Sequence, residues 1–355
     1  MKINLLKRLL FLTGIFLASL NTANSQVLEV TSETTPEDMV EILIGSGLSY
    51  DNVIYTGNEI SRGNFWGGPG NIGVSNGIIL TSGNVTVAPG PNNNGGSGWN
   101  SGQGGDPDLN AIAGVSTFDA CVLEFDFVPE FNYTWFQYVF CSEEYHEYVN
   151  QFNDAFGFFI SGPGISGPYS NNSENIALIP LSSIPVSINT VNCGNPYDCS
   201  QSCTNCQFFV NNTQQFTQYD AFTTVLTAWI ETEPMQTYHI KLAVGDGIDH
   251  VFDSGVFLQA SSFCSGPLTG VGQDNQQGID DNFQVYPVPA GDVLNISSQN
   301  GQKLDIQLVG QDGRCIKSAS GNSQIAIDIS TVPPGVYFLR ITGPDGTETR
   351  KIFKR

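Results

Sequence analysis

The stretch FCSEEYHEYVNQFNDAFGFFISGPG, Phe140 to Gly164, sets Glu143, Glu144, Glu147 and Asp154 among aromatic residues. Carboxylates at this density suit two chemistries. A pair about 5–10 Å apart across a cleft hydrolyses glycosides. Several together with carbonyl and amide oxygens hold a hard cation such as calcium. A third use is structural, closing turns and ending strands. Glu143 and Glu144 are adjacent, so on a strand they point to opposite faces. They do not work together as acid and nucleophile, although either could pair with a distant aspartate in a glycosidase. His146, His239 and His250 come with neither a Gly-x-Ser-x-Gly elbow nor a His-Glu-x-x-His pair. The expectation is a protein without enzymatic activity.

The calcium reading has a defined ligand set. SEEY ends one strand, FNDAF opens the next and HVFDSG precedes a late one. If these strands are neighbours, Glu143, Glu144, Asn153, Asp154 and Asp253 meet at one sheet end. Asp106 and Asp108 of GDPDL form a second oxygen-rich set. DNQQG (Asp274–Gly278) lacks an acid at its third position and a closing glutamate, so it reads as linker. Phe65, Trp66 and Trp99 lie in glycine-rich loops, where Trp66 and Trp99 could stack on sugar rings. Trp135 and Trp229 fall in strand patterns and are expected in the core.

Eight cysteines suit an oxidising compartment. Cys193, Cys199, Cys203 and Cys206 cluster within NCGNPYDCSQSCTNC, with no histidine nearby. Disulfides are expected there rather than zinc, with the connectivity open. Cys121, Cys141 and Cys264 are further disulfide candidates, one of the seven needing Cys315 or another chain as partner.

The elements that must position these residues are mostly strands. One helix is signed: Thr35 caps it, Pro36 suits its first turn, Asp38 completes a capping-box spacing and Gly45 stops it. Its apolar face is Met39, Val40, Leu43 and Ile44. Strands are predicted at Asn52–Tyr55, Gly77–Ser82, Cys121–Pro129, Tyr133–Cys141, Ala155–Ser161, Thr223–Glu231, Thr237–Gly245 and Ser254–Phe263. In CVLEFDF, Val122, Glu124 and Asp126 alternate with Leu123, Phe125 and Phe127, the pattern of a half-buried strand. YTWFQYVF is apolar on both sides and should be central. Ala88–Asn110 reads as a long loop. The fold class is therefore mainly all-β, a large antiparallel sandwich or jelly roll with one N-terminal helix, followed by a small C-terminal β domain.

Charge is concentrated in one segment. Residues 26–265 carry 25 acidic residues against two basic ones, Arg62 and Lys241, which excludes a nucleic-acid binder. Lys2, Lys7 and Arg8 precede the apolar run Leu9–Leu20 and the small residues Ala23-Asn24-Ser25, the pattern of an export signal cut between Ser25 and Gln26. No other stretch is long and apolar enough to span a bilayer as a helix. The expected division is a signal peptide at 1–25, the body at 26–265, a linker at 266–282 and the C-terminal domain at 283–355.

That C-terminal domain resembles the type A sorting domain of the type IX secretion system. The resemblance rests on VYPVPAGDVLNI (Val285–Ile296), LVGQDGRCI (Leu308–Ile316), IDISTVPPGVYFLRI (Ile327–Ile341) and TRKIFKR (Thr349–Arg355). The family usually has asparagine where Val288 stands and an aliphatic residue at Cys315. The resemblance implies a Gram-negative, Bacteroidetes-type cell and the secretion machinery as partner. It also implies a product attached to the surface or released. The body resembles the choice-of-anchor L domain through VSNGIILTSGNV (Val74–Val85), GDPDLNAIAG (Gly105–Gly114), FDACVLEFDFVP (Phe118–Pro129), the acid-rich stretch itself and YHIKLAVGDGIDHVFDSGVFLQASSF (Tyr238–Phe263). This family supplies no reaction. Together these point to an exported, non-enzymatic binding or adhesion-type protein with calcium as its expected stabilising ion. The alternatives are a carbohydrate-active protein, either a sugar-binding module or a glycosidase using Glu143 or Glu144, or a structural coat component.

Overall fold

The computed structural model describes residues 28–67, 72–180, 182–194, 203–266, 283–286, 290–298, 303–309, 315–322, 324–332, 335–343 and 346–354. The export signal with its Ser25–Gln26 junction, Cys199 and most of the linker lie outside them. In the body the chain runs β1 (Glu29–Thr31), α1 (Pro36–Leu43), β2 (Leu48–Thr56), β3 (Arg62–Trp66), β4 (Asn76–Thr81), α2 (Pro107–Ala113) and β5 (Thr117–Pro129). It continues with β6 (Tyr133–Ser142), β7 (Ala155–Ser161), β8 (Glu174–Asn175), β9 (Phe209–Asn211), β10 (Ala221–Thr223) and β11 (Leu226–Glu231). β12 (Tyr238–Gly247), β13 (Ser254–Gln259) and β14 (Cys264–Gly266) complete it.

Two antiparallel sheets result. The larger has the order β1-β3-β4-β13-β6-β10-β9, with β11 and β14 also pairing with β6. The smaller has the order β2-β5-β12-β7-β8. Strand alternation makes the shared core. Ile78, Leu80, Phe136, Tyr138, Phe140, Val256 and Leu258 of the larger sheet meet Leu123, Phe125, Phe127, Phe156, Phe158, Ile240 and Leu242 of the smaller. The rings of Phe136, Tyr138, Phe156 and Phe158 stand mostly edge-to-face, the geometry their quadrupoles favour. The predicted alternation in β5 holds: Leu123, Phe125 and Phe127 are buried inward, while Glu124 and Asp126 are only half-buried. β6, apolar on both sides, is central and pairs with four other strands.

The helix signs hold as well. Thr35 accepts the Asp38 amide at 3.1 Å, and Met39, Val40 and Leu43 enter the core. The stop comes one residue early, with Ile44 as the cap. Gly45 serves a close approach instead: its amide donates to the Phe263 carbonyl at 2.7 Å, and a Cβ there would meet Cys264 Sγ at 2.3 Å.

Three expectations need correction. The loop read over Ala88–Asn110 ends in α2, whose N-cap is Asp106 and whose Leu109 packs on the outer face of the smaller sheet. The signal was present in Asp-Pro followed by Gly114, which adopts φ 73° beyond the last turn. The strand predicted at Thr223–Glu231 breaks into β10 and β11, because the Thr224 amide turns to the Phe208 carbonyl. Trp229 is 41% exposed rather than core, tilted against Tyr133 on the outside of β11.

The C-terminal domain contains β15 (Phe283–Tyr286), β16 (Val293–Ser298), β17 (Lys303–Val309), β18 (Cys315–Asn322), β19 (Gln324–Asp328), β20 (Gly335–Gly343) and β21 (Gly346–Lys354). They form one three-stranded and one four-stranded antiparallel sheet around Leu294, Ile296, Ile306, Leu308, Leu339 and Ile341. It is the small all-β module the sequence predicts.

Candidate functional site

One end of the body's sandwich gathers buried acids from both sheets. Glu143 and Glu144 follow directly after β6. Asp253 precedes β13, the neighbour of β6, and the Glu143 amide donates to the Asp253 carbonyl at 3.1 Å. Asp154 precedes β7 and joins the two sheets: it accepts from the Gly247 amide at 2.9 Å and from Ser254 Oγ at 2.7 Å. Asp246 sits at the bulge of β12. Glu143, Glu144, Asp154, Asp246 and Asp253 are all at most 5% exposed.

Their oxygens are unequally satisfied. Asp253 Oδ1 accepts the Trp99 amide at 2.9 Å. Its carboxylate lies against Gly83, where a Cβ would stand 1.5 Å from Oδ2. Gly83→Ala therefore has to displace Asp253, and we expect a loss of about 1–3 kcal/mol, read as a shift in urea midpoint. Both oxygens of Glu144 are buried without a hydrogen-bond partner, and those of Glu143 and Asp246 have only poorly aligned donors near them, the Ser97 amide and Gln218 side chain for one and the Ser82 side chain for the other. Glu143 and Asp253 line a small cavity with Asn84, Ser97 and Gln218, which has room for one water-sized occupant.

Buried carboxyls without partners resist ionisation. Burial, then the charge of Asp220, pushes Glu143 up to about 9. Burial pushes Asp253 up to about 7, although the Trp99 and Asn84 amides oppose it. Glu144, Asp154 and Asp246 are raised first by burial and then by neighbouring carboxylates, Asp154 and Asp249 for Glu144, Asp253 and Asp249 for Asp154, and Asp154 and Asp253 for Asp246. The segment's two fixed cations are engaged elsewhere. Arg62 binds Glu59 and the Thr34 carbonyl, and Lys241 binds Asp106 and Asp108. His250 Nδ1 lies 2.8 Å from Asp119. Five buried acids thus share a site that calls for protons or an added cation.

The predicted ligand set is brought together, but not as one cage. Glu143 and Asp253 line the cavity, while Glu144 interacts with Asp154 and Asp246 with Asp154 and Asp253. Asn153 turns its Nδ2 to the Ala113 carbonyl at 3.2 Å, leaving Oδ1 buried and unpartnered. Among the described residues, no three acidic or histidine side chains bring their ligand atoms within 4.8 Å of one another. Asp246, in the strand pattern YHIKLAVGDG, was not predicted as a site residue. The available signal was an acid following the apolar run Leu242-Ala243-Val244 and Gly245 of this strand.

The second set is corrected. Asp106 caps α2 by accepting the amides of Asp108 and Leu109, and both its oxygens lie 3.0 Å from Lys241 Nζ. Asp108 binds Lys241 and Ser170. A fixed ammonium fills the place expected for calcium. Phe65 is buried edge-on to Phe257, while Trp66 is 38% exposed and Trp99 half-buried. Cys203 and Cys206 form a disulfide, and the Cys193 sulfur lies within 4.8 Å of both. Cys121, Cys141 and Cys264 are free thiols, against expectation. Cys121 Sγ instead contacts the Ser61 carbonyl and the Tyr55 hydroxyl inside the sandwich.

A two-sheet antiparallel sandwich with an acid-filled loop end and a separate small β module defines the class of protein. Residues 26–264 match the choice-of-anchor L domain and residues 284–355 match the secretion system C-terminal sorting domain. The chain belongs to the choice-of-anchor L family and is exported by the type IX system to the outer surface or beyond. No curated protein matches it by sequence. Among solved structures, it is similar to an immunoglobulin-like DUF3244 family protein from Bacteroides vulgatus (20% identity, TM-score 0.19, covering 21% of this chain and 85% of that one). It is also similar to the BSP domain of a biofilm associated protein (8% identity, TM-score 0.18), covering 69% of this chain and 50% of that one. A β-glucuronidase from Ruminococcus gnavus (10% identity, TM-score 0.17) is covered over 36% of its length by 66% of this chain. At such TM-scores these likenesses carry no argument about function. Among the described residues, no helix is long and apolar enough to cross a membrane.

Proposed function

We propose that the chain is a non-enzymatic binding module of adhesion type working outside the cell, with its acidic loop end braced by calcium. Glu143 and Asp253 would supply carboxylate oxygens to the ion, with Asn84 and Ser97 beside them at the cavity. The observation that carries this reading is Glu143: it is 2% exposed, lines the cavity and has no well-formed hydrogen bond to either oxygen, only the poorly aligned Ser97 amide and Gln218 side chain nearby. A hard cation supplies what those oxygens lack and lets several neighbouring acids ionise together. Glu144, Asp154 and Asp246 would form a second rank that adds negative field behind the ion.

The size of the cavity speaks against glycoside hydrolysis. A glycosidase needs a cleft for a sugar ring between its two carboxyls, and this space admits about one water-sized occupant. Binding would then use loop surfaces on a rigid scaffold. The test is a glycan array probed with the secreted chain, with and without EDTA. Binding that disappears with EDTA supports the reading. Turnover of any arrayed glycan by the wild type, absent in Glu143→Gln, would overturn it.

A further inference from the structure

Lys241 is the only lysine among residues 26–265, and it is buried. It projects from β12 under α2 with its Nζ 4.8 Å from the centre of the Phe159 ring. Two carboxylates meet this one ammonium. Asp108 Oδ2 lies 2.5 Å from Nζ, and both oxygens of Asp106 lie 3.0 Å from it. The other oxygen of Asp108 is held by two donors, the Ser170 amide at 2.9 Å and Ser170 Oγ at 2.8 Å. An ion pair needs one carboxylate. This cluster adds a second one on the nitrogen and a pair of donors on the far side of the carboxyl that the nitrogen touches.

We propose that Lys241 and Asp108 condense into an intramolecular amide bond, with Asp106 carrying the protons. Asp106 relays a proton from Nζ to Asp108 Oδ2, and the freed amine attacks Cγ of the neutral acid. The C–N bond forms while Oδ1 takes up negative charge against the two Ser170 donors, as in an oxyanion hole. The C–Oδ2 bond then breaks. The two protons lost by Nζ end on Oδ2, which departs as water, and Asp106 finishes unchanged. Lysine ammonium plus carboxylate becomes amide plus water, so no oxidant, reductant or co-reactant is required. The held geometry supplies the effective concentration that a free amine and acid lack. The product ties α2 to the centre of the smaller sheet with a bond that thiol reductants do not break.

The test is mass spectrometry on the secreted chain, reduced and denatured, with its termini mapped. The wild type should weigh one water less than its sequence, about 18 Da. A digest should yield a branched peptide joining the Asp108 and Lys241 segments, an observation that needs no variant. Lys241→Arg should have its full mass, and Asp106→Asn should be left wholly or largely unlinked. A wild type at full mass overturns the proposal. So does a deficit that persists in Lys241→Arg, since it would then belong to a dehydrated residue elsewhere. An Asp106→Asn chain linked as completely as the wild type overturns the role given to Asp106.

Discussion

At about pH 8, calcium at a hundredfold excess over its dissociation constant should raise the thermal midpoint of the chelator-stripped chain by roughly 5–10 °C. Binding of that kind adds about 2.7 kcal/mol, and each kcal/mol moves a domain of this size by about 2–4 °C. The ion would act where ionised acids repel one another, so its increment should grow with pH. Glu143→Gln should behave in two opposed ways. It should lose most of the calcium increment, because a carboxylate ligand is gone. It should also make the stripped protein more stable than the wild type at that pH, because the cost of keeping this carboxyl protonated where the unfolded chain has released its proton is gone too. A residue that merely shaped the loop would not stabilise the stripped protein on replacement. Identical wild-type midpoints in calcium and EDTA would sink the cation reading.

Much of this site was legible because strand order could be guessed from where the acids fall. Glu143 and Glu144 ending β6 and Asp253 opening β13 lie at paired strand ends, so pairing fixes the edge they share, whereas Asp154 opens β7 of the other sheet and reaches them only through the packing of the two sheets. What pairing does not fix is which oxygens find donors. Asp106 and Asp108 have the same composition as a calcium loop, yet Lys241, more than a hundred positions away, reaches them from the sheet below. Only the packing of α2 on β12 decides that. Asp246 was hidden by its strand, since a bulge turns a residue that alternation alone would leave unremarked. Trp229 went wrong for a similar reason: an aromatic in a strand has two faces to choose from, and β11 presents this one to solvent. The free thiols were misread because cysteine counting assumes pairing, whereas Cys121 and Cys141 are small buried apolar residues here.

In EDTA the chain should be most stable in mild acid and lose stability steadily as pH rises. Glu143 titrates near 4.5 when unfolded and at about 9 when folded, and Asp253 moves from 3.8 to about 7. Between those values the folded state keeps protons that the unfolded state has released, so unfolding releases protons and rising pH favours it. Each such carboxyl contributes at most about 1.4 kcal/mol per pH unit, and the slope should be steepest while both groups are inside their windows. Glu144, Asp154 and Asp246 act in the same direction. His239, raised chiefly by its bond to Glu124, also loses its contribution as pH climbs, but its side chain is 31% exposed and solvent screening keeps that part small. Where Asp108 and Lys241 are unlinked, Asp108 is held low by Lys241 and Ser170, as Asp126 is by Asn52 and His239, against the effect of burial. Their contributions fail only in stronger acid, below this window. Urea midpoints across the range should therefore fall with pH for the wild type, less steeply for Glu143→Gln, and less steeply again when Glu144→Gln is added. Calcium should flatten the wild-type slope and leave the double variant unmoved. A flat wild-type profile in EDTA, or equal slopes for all three proteins, would mean that these acids are compensated without protons or metal, and the electrostatic account of the loop end would fail.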